Sequence, residues 1–287
     1  MRLVILVVLA LGPGCDRVFG LHGSQDGDAA TGEAGEAGTR DAGISCPARG
    51  GTPTFSTSLR FVASACSELS GSAIARSVAN CTGGVSEGPE TGPLTPVAGL
   101  ESMGDVHYDA ARMVPEGDLL FVREWDVTTL LSRILILRRR TGNTFAMDGE
   151  VMITGVPLDT SARFGVPSRG PIRRMFVRNL SKLFEVSIDG TGVATPLKSY
   201  NDTDLGVDTI DLAPGLSPDG LRLVFGGRLD TTSGIYYADR ASTSDSFGPA
   251  RKIPGAAYAY DPWLADGCAE LVFSVGSSLY AAPAIAP

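Results

Sequence analysis

Two histidines occur among the 287 residues, His22 and His107, so imidazole clusters are out of reach. His107 stands in Asp105-Val106-His107-Tyr108-Asp109, one imidazole between two carboxylates. Zinc sites draw three or four protein ligands, so this set is incomplete, and His107 reads as a loop or strand-end residue. Nucleophilic chemistry fares no better. Gly215-Leu216-Ser217 lacks the second glycine of a G-x-S-x-G nucleophile elbow, which leaves Ser217 as a turn residue. No phosphate-binding P-loop and no G-x-G-x-x-G after a strand appears. Asn201, Asp202, Asp204, Asp208 and Asp211 offer oxygen ligands that would suit Ca²⁺, but the twelfth-position Glu of an EF-hand loop is missing. That stretch reads as a solvated loop. Paired carboxylates for glycoside hydrolysis are spaced in three dimensions, and nothing along the chain marks one pair. The expectation is no catalytic residue, no cofactor and no metal.

Charge narrows the partners. The chain carries −8, and its 24 basic residues include only three lysines, Lys182, Lys198 and Lys252. One basic cluster exists, Arg138, Arg139 and Arg140, which ends a strand-like run and reads as a solvated strand end. Nucleic-acid affinity depends on clustered cations, so an acidic chain of this kind is a poor candidate for it.

The N-terminus is a different region. Arg2 is followed by the apolar run Leu3 to Leu11, then by Gly12, Pro13, Gly14 and Cys15. One positive charge, a short apolar stretch and small residues form a signal-peptide pattern over residues 1–14. Nine apolar residues are too few to span a bilayer, which takes roughly 20. A Cys directly after the break is similar to a bacterial lipoprotein signal, although Gly12 stands where a large apolar residue is usual. The resemblance implies lipidation at Cys15; the other reading is a plain secretory signal cut near Gly14. Residues 24–43 hold no aromatic and no aliphatic side chain larger than Ala. Such a stretch cannot bury enough apolar area to offset its ordering entropy, so 15–45 reads as an acidic tether. The domain that remains, 46–287, is near −5.

From Cys46 onward short β-rich runs alternate with Gly, Pro, Asp and Ser turns, and the runs repeat. The clearest unit is Ser217-Pro218-Asp219-Gly220, then Leu221-Arg222-Leu223-Val224-Phe225, then Ile235-Tyr236-Tyr237. Pro presets φ for a tight turn and Gly220 accepts a positive φ. Leu221, Leu223 and Phe225 alternate with Arg222 and Val224, which predicts one core-facing side. Equivalent units centre on Phe61, Phe121, Phe176 and Phe273, so the five Phe are spaced by 60, 55, 49 and 48 residues. A four-stranded propeller blade takes roughly 40–50 residues.

With these residues the chain resembles the TolB-like, WD40-like β-propellers of bacterial envelopes, over about residues 50–287. The resemblance implies an all-β ring of four-stranded blades around a central channel. Such propellers commonly have six blades; five signatures are visible here, so the ring has five blades or a sixth has lost its signature within 61–121. Fold alone does not fix function; with no catalytic set along the chain and loops that line one face of such a ring, the expectation is a non-catalytic, envelope-anchored module binding a protein or a glycan, periplasmic or on the outer membrane and held there by the lipid alone. The alternative is a secreted carbohydrate-active enzyme using carboxylates in the channel, and it is recognised by two or more acids converging there.

Four cysteines remain once Cys15 is set aside: Cys46, Cys66, Cys81 and Cys268. An exported chain permits disulfides, and three pairings are open. The favoured set is Cys66–Cys81, flanking one strand of the first repeat, with Cys46–Cys268 joining the two ends of the ring. The rival leaves Cys268 a free buried thiol and pairs Cys46 within the N-terminal segment.

Overall fold

The computed structural model describes residues 52–284, interrupted by short breaks, and the signal and tether segments lie outside the described residues. Strands begin with β1 (Arg60–Ser64), which stands apart from those that follow it. Next come β2 (Glu68–Ala73), β3 (Arg76–Cys81), β4 (Gly84–Pro89) and β5 (Thr95–Glu101), the first blade. The second holds β6 (Val106–Met113), β7 (Leu119–Asp126), β8 (Ser132–Arg139) and β9 (Phe145–Ile153). The third holds β10 (Arg163–Phe164), β11 (Arg173–Asn179), β12 (Lys182–Ile188) and β13 (Val193–Tyr200), and a short parallel pairing of Val193 and Ala194 with Met152 and Ile153 of β9 joins it to the second at their outer edges. The fourth holds β14 (Thr209–Leu216), β15 (Arg222–Leu229), β16 (Thr232–Asp239) and β17 (Arg251–Lys252). In the fifth, β18 (Tyr260–Ala265), β19 (Glu270–Val275) and β20 (Ser278–Pro283) are completed by β1 from the other end of the chain. The fold is a five-bladed β-propeller.

Closure of the ring is therefore non-local. Arg60 lies opposite Ala281 and Ser64 opposite Ser278, both antiparallel. Just ahead of them Phe55 bridges to Ala284, whose N–H donates to Ala269. This corrects the reading of Leu59-Arg60-Phe61-Val62 as the opening repeat: that strand is the outer edge of the last blade, opposite Tyr280. The second strand of the first blade is Arg76–Cys81, which has no Phe. Among the described residues the long 61–121 interval holds the borrowed strand, one whole blade and the opening of the next, and no sixth blade.

The other four Phe occupy one structural position. Phe121, Phe176, Phe225 and Phe273 lie on the second strands, opposite Ile136, Glu185, Tyr236 and Tyr280 on the third. All four are at most 3% exposed. The expected one-sided alternation does not hold, because both faces of these strands are buried. Leu119 and Phe121 pack with Met175 and Val177 of the third blade, while Leu120 and Val122 pack with Val85 and Val97 of the first. A blade flanked by two others has no solvent side along its central strands, so period-two residues are sorted between two cores. Arg222 is buried for the same reason, bonded to Asp239 through Nε (2.6 Å) and Nη2 (2.8 Å) and resting over Tyr237.

Carboxylates and guanidinia also clamp neighbouring blades. Glu87 of β4 is fully buried and receives Arg139 of β8 in a two-pronged pair, 2.8 and 2.9 Å. Arg139 also donates to the Gly117 carbonyl and lies 4.6 Å from the Phe145 ring centre. Two blades on, the arrangement recurs. Glu185 of β12 receives Arg240, which donates to the Gly220 carbonyl and lies 4.3 Å from Phe247. Arg139 is thus not a solvated strand end, as its sequence context suggested.

Inner strands approach closely on the far side of the ring. A Cβ on Gly165 would fall 1.7 Å from the Pro214 carbonyl oxygen, and one on Gly215 would fall 2.6 Å from that of Pro262. Gly220 is different: its φ is +73°, yet a Cβ there meets nothing nearer than 3.6 Å. Gly165→Ala therefore should cost about 3 kcal/mol or more by overpacking, because only backbone could move aside. Gly220→Ala should cost about 1 kcal/mol, through left-handed strain alone. Urea unfolding of the two variants checks this ranking, and equal losses would contradict the close approach.

Candidate functional site

Strand direction defines two faces of the ring. First strands run from an upper face to a lower one, so upper loops join second to third strands and one blade to the next. Lower loops join first to second and third to fourth strands. Two places on this frame carry exposed or charged side chains that could serve function.

The first is the channel. Inner strands bulge where they face it, with register shifts between Asp109 and Arg112 in β6 and between Tyr260 and Trp263 in β18. Ala110 and Asp261 sit at these bulges with φ of 47° and 45°. A bulge twists a strand and re-aims its side chains, here Asp109, Arg112 and Asp261. Arg112 Nη2 donates to Asp261 Oδ1 at 2.7 Å, joining the second blade to the fifth past the first. Arg123 grips both carboxylate oxygens of Asp109 and donates to the Ala162 carbonyl at 3.0 Å. Asp109 lies within electrostatic reach of Asp261, and each is held by its own guanidinium. Burial pushes the Asp261 carboxyl above its ordinary 3.8; Arg112 pulls it back, and Asp109 adds a smaller rise.

The second is a cleft of about 470 Å³ on the upper face, between the second and third blades. Its apolar walls are Leu131, Val156, Pro157, Leu158, Leu180 and Phe184. The connector between the blades forms its floor and is tied to both. Ser132 donates its N–H to the Leu158 carbonyl, and Asn179 Nδ2 donates to the Pro157 carbonyl at 3.0 Å. Ser161 Oγ accepts the Leu180 N–H at 3.1 Å and donates to Asp159 Oδ1. Leu130 and Leu180 stand at two hairpin tips with left-handed φ of 56° and 54°. Leu130, Leu131 and Leu180 are 61, 59 and 67% exposed. On the same face His107 stacks on Trp125 with ring centres 4.8 Å apart.

Residues singled out in the sequence fall elsewhere. Ser217, Pro218, Asp219 and Gly220 form a lower-face turn closed by Gly220 N–H to the Ser217 carbonyl at 2.8 Å. Ser217 Oγ accepts the N–H groups of Leu221 and Arg222 and donates to Asp219, so this hydroxyl is committed to the turn. In the acidic stretch Asp202 pairs with Arg178, Asp204 caps Asn201, and Asp208 accepts from Asp230 N–H. Among the described residues no three His, Cys, Asp or Glu side chains gather as a metal set. Cys268 is buried, and its sulfur is disulfide-bonded. Cys15, Cys46 and Cys66 lie outside the described residues, and of Cys81 only the backbone is described.

Sequence reasoning passed over Asn179, Leu180 and Leu130. One signal was readable: a two-residue turn between β-runs, Asn179-Leu180-Ser181-Lys182, with Leu where Gly or Asn would relieve the backbone.

No family model and no curated protein matches the chain. Solved structures that it is similar to include a TolB from Agrobacterium tumefaciens. The identity is 18%, over 75% of this chain and 69% of that one, with a TM-score of 0.43. Others are the WD40 repeats of RRP9 (9%, 82% and 99%, 0.44) and a glycosyl hydrolase from Bacteroides ovatus (10%, 79% and 85%, 0.48).

The channel pair generates a pH test. A carboxyl raised on folding adds stability below its ordinary pKa, and that contribution is lost as pH climbs through the raised value. Arg112→Met removes what pulls Asp261 down, so its ionisation near neutral pH becomes an uncompensated buried charge. The variant should lose about 3–5 kcal/mol near neutral pH and markedly less in acid, where Asp261 takes up its proton. Urea unfolding at both pH values decides; an equal loss would contradict the pairing.

Proposed function

We propose that this propeller is a non-catalytic binding module of a bacterial cell envelope, exported, anchored through Cys15, and engaging a protein or glycan with its upper face. The observation that carries this reading is the contrast between the two sites. The channel acids are each neutralised by an arginine, whereas the upper face offers exposed leucines around an open cleft. Exposed apolar patches on a soluble surface mark interaction sites. The carbohydrate-active alternative draws on one observation, the electrostatic meeting of Asp109 and Asp261 in the channel.

For the cysteines we infer Cys46–Cys268 and Cys66–Cys81, and strand direction supports both. Cys268 lies between β18 and β19, on the lower face, where Phe55 and Ala284 also meet. Cys81 ends β3, and Cys66 falls between Ser64 and Glu68, both of which are upper-face positions. A bond from Cys268 to Cys81 would have to cross the thickness of a blade, while Cys46 precedes the lower-face entry. The long loop so closed contributes about 5 kcal/mol in the chain-entropy account. Non-reducing peptide mapping should yield a Cys46–Cys268 peptide; a Cys66–Cys268 or Cys81–Cys268 peptide overturns the pairing.

Binding and anchoring are tested together with the intact protein. It should sediment with membranes, Cys15→Ser should not, and a pull-down from envelope extract should retain a partner that Leu131→Asp loses. Glycan turnover that falls with Asp109→Asn would overturn the non-catalytic reading.

A further inference from the structure

The upper-face cleft has a chemistry more specific than an apolar patch. Its walls are aliphatic and aromatic, and Asn179 spends both ends of its amide on the connector, through Nδ2 to Pro157 and through Oδ1 to Asp159 N–H. Asp159 Oδ1 is taken by Ser161. Lys182 remains, exposed at the rim. Lys198 and Lys252 donate to the Ser244 and Ser233 carbonyls, but Lys182 pairs with no carboxylate among the described residues. The cleft therefore presents an apolar hollow with one uncommitted cation beside it.

Leu180 adds a second reading of the same place. A β-hairpin tip with positive φ is ordinarily built from Gly or Asn, because a larger side chain in that conformation is strained. Here a leucine holds it, 67% exposed, with its N–H fixed by Ser161. Neither burial nor backbone comfort accounts for that side chain. Leu130 repeats the pattern on the neighbouring blade, at the end of a turn whose Asp126 carboxylate caps Thr128 and Thr129.

We propose that the cleft docks an extended polypeptide segment of a partner protein, which places a bulky apolar side chain between Leu131, Leu180 and Phe184 and an adjacent carboxylate on Lys182. The inference rests on the binding-module reading and names its partner class. A polypeptide is favoured over a free fatty acid, which has the same apolar-plus-carboxylate chemistry. An acyl chain in the hollow would leave Leu130 and the outer side of Leu180 in water, whereas a protein surface around the docked residue covers them.

The probe is a displayed library of random nonapeptides, selected against the full chain, Leu180→Asn and Lys182→Glu. Selected peptides should share an apolar residue beside Asp or Glu and bind Leu180→Asn about tenfold more weakly or worse. That variant should remain folded, with Tm unchanged or raised by about 2–4 °C, since Asn tolerates the left-handed turn. Selection on Lys182→Glu should exchange the acidic neighbour for Lys or Arg. Peptides that bind all three proteins equally would place binding elsewhere, overturning this inference while leaving the binding module intact. Displacement by sodium laurate of peptides that need Leu180 would assign the cleft to a lipid instead. A library that yields nothing overturns the polypeptide partner, and the pull-down then judges the broader function on its own.

Discussion

Each blade of this ring lies between two others, so its middle strands have no face left for water. That constraint explains why β7, β8, β15 and β19 read as nearly continuous apolar runs rather than alternating ones. It also dictates how charge enters the interior. A carboxylate at Glu87 or Glu185 cannot be hydrated where it stands, and an isolated buried charge is costly. Each is met by a guanidinium from the next blade, which spreads its remaining donors over a turn carbonyl and lays its flat face on a phenylalanine. Glu185 also receives Arg174 of its own blade, so what each inter-blade guanidinium adds is the choice of neighbour: removing it strips a buried carboxylate of a cation that the next blade supplies.

Much of this architecture was legible along the chain, because blades are local. Phe121, Phe176, Phe225 and Phe273 mark the second strands without any knowledge of contacts, and their spacing reads as a blade length. Phe61 carried the same local pattern and belongs to a different place, since the strand holding it crosses to the last blade. Local patterns report that a strand exists; they are silent on which partner, hundreds of residues away, hydrogen-bonds to it. The same limit hid the clamps. Arg139 looks like one of three arginines at a strand end, and only the approach of Glu87 from 52 residues away separates it from Arg140. The channel pair Arg112–Asp261 spans 149 residues and left no mark in sequence at all.

Rigidity and exposure are divided between the faces. Both Glu–Arg clamps close near lower-face turns, at Gly117 and Gly220, where the repeat signature is also strongest. The upper face instead carries the two left-handed leucines and a connector held by hydrogen bonds from Asn179 and Ser132 rather than by ion pairs. A ring fixed tightly below can tolerate strained side chains above, and positions in left-handed conformation cost about 1–3 kcal/mol each when they are not glycine. Selection for stability alone would have put Asn or Gly at Leu130 and Leu180. Exposed leucines at both positions fit a surface shaped for contact.

The point where the chain enters the ring gives this division a direction. Residues 53–56 reach the propeller beside Pro283 and Ala284, on the lower face, before β1 climbs to the upper one. The chain therefore enters the described ring on the face opposite the cleft. A pull on the chain ahead of residue 53 would load first the borrowed strand, which pairs with β20 alone among the described strands. A covalent tie from Cys46 to Cys268 would intercept that pull before it reached the strand, because Cys268 belongs to the body of the last blade. Closing the ring and resisting such a pull are then one mechanical problem, centred on the lower face and away from the cleft.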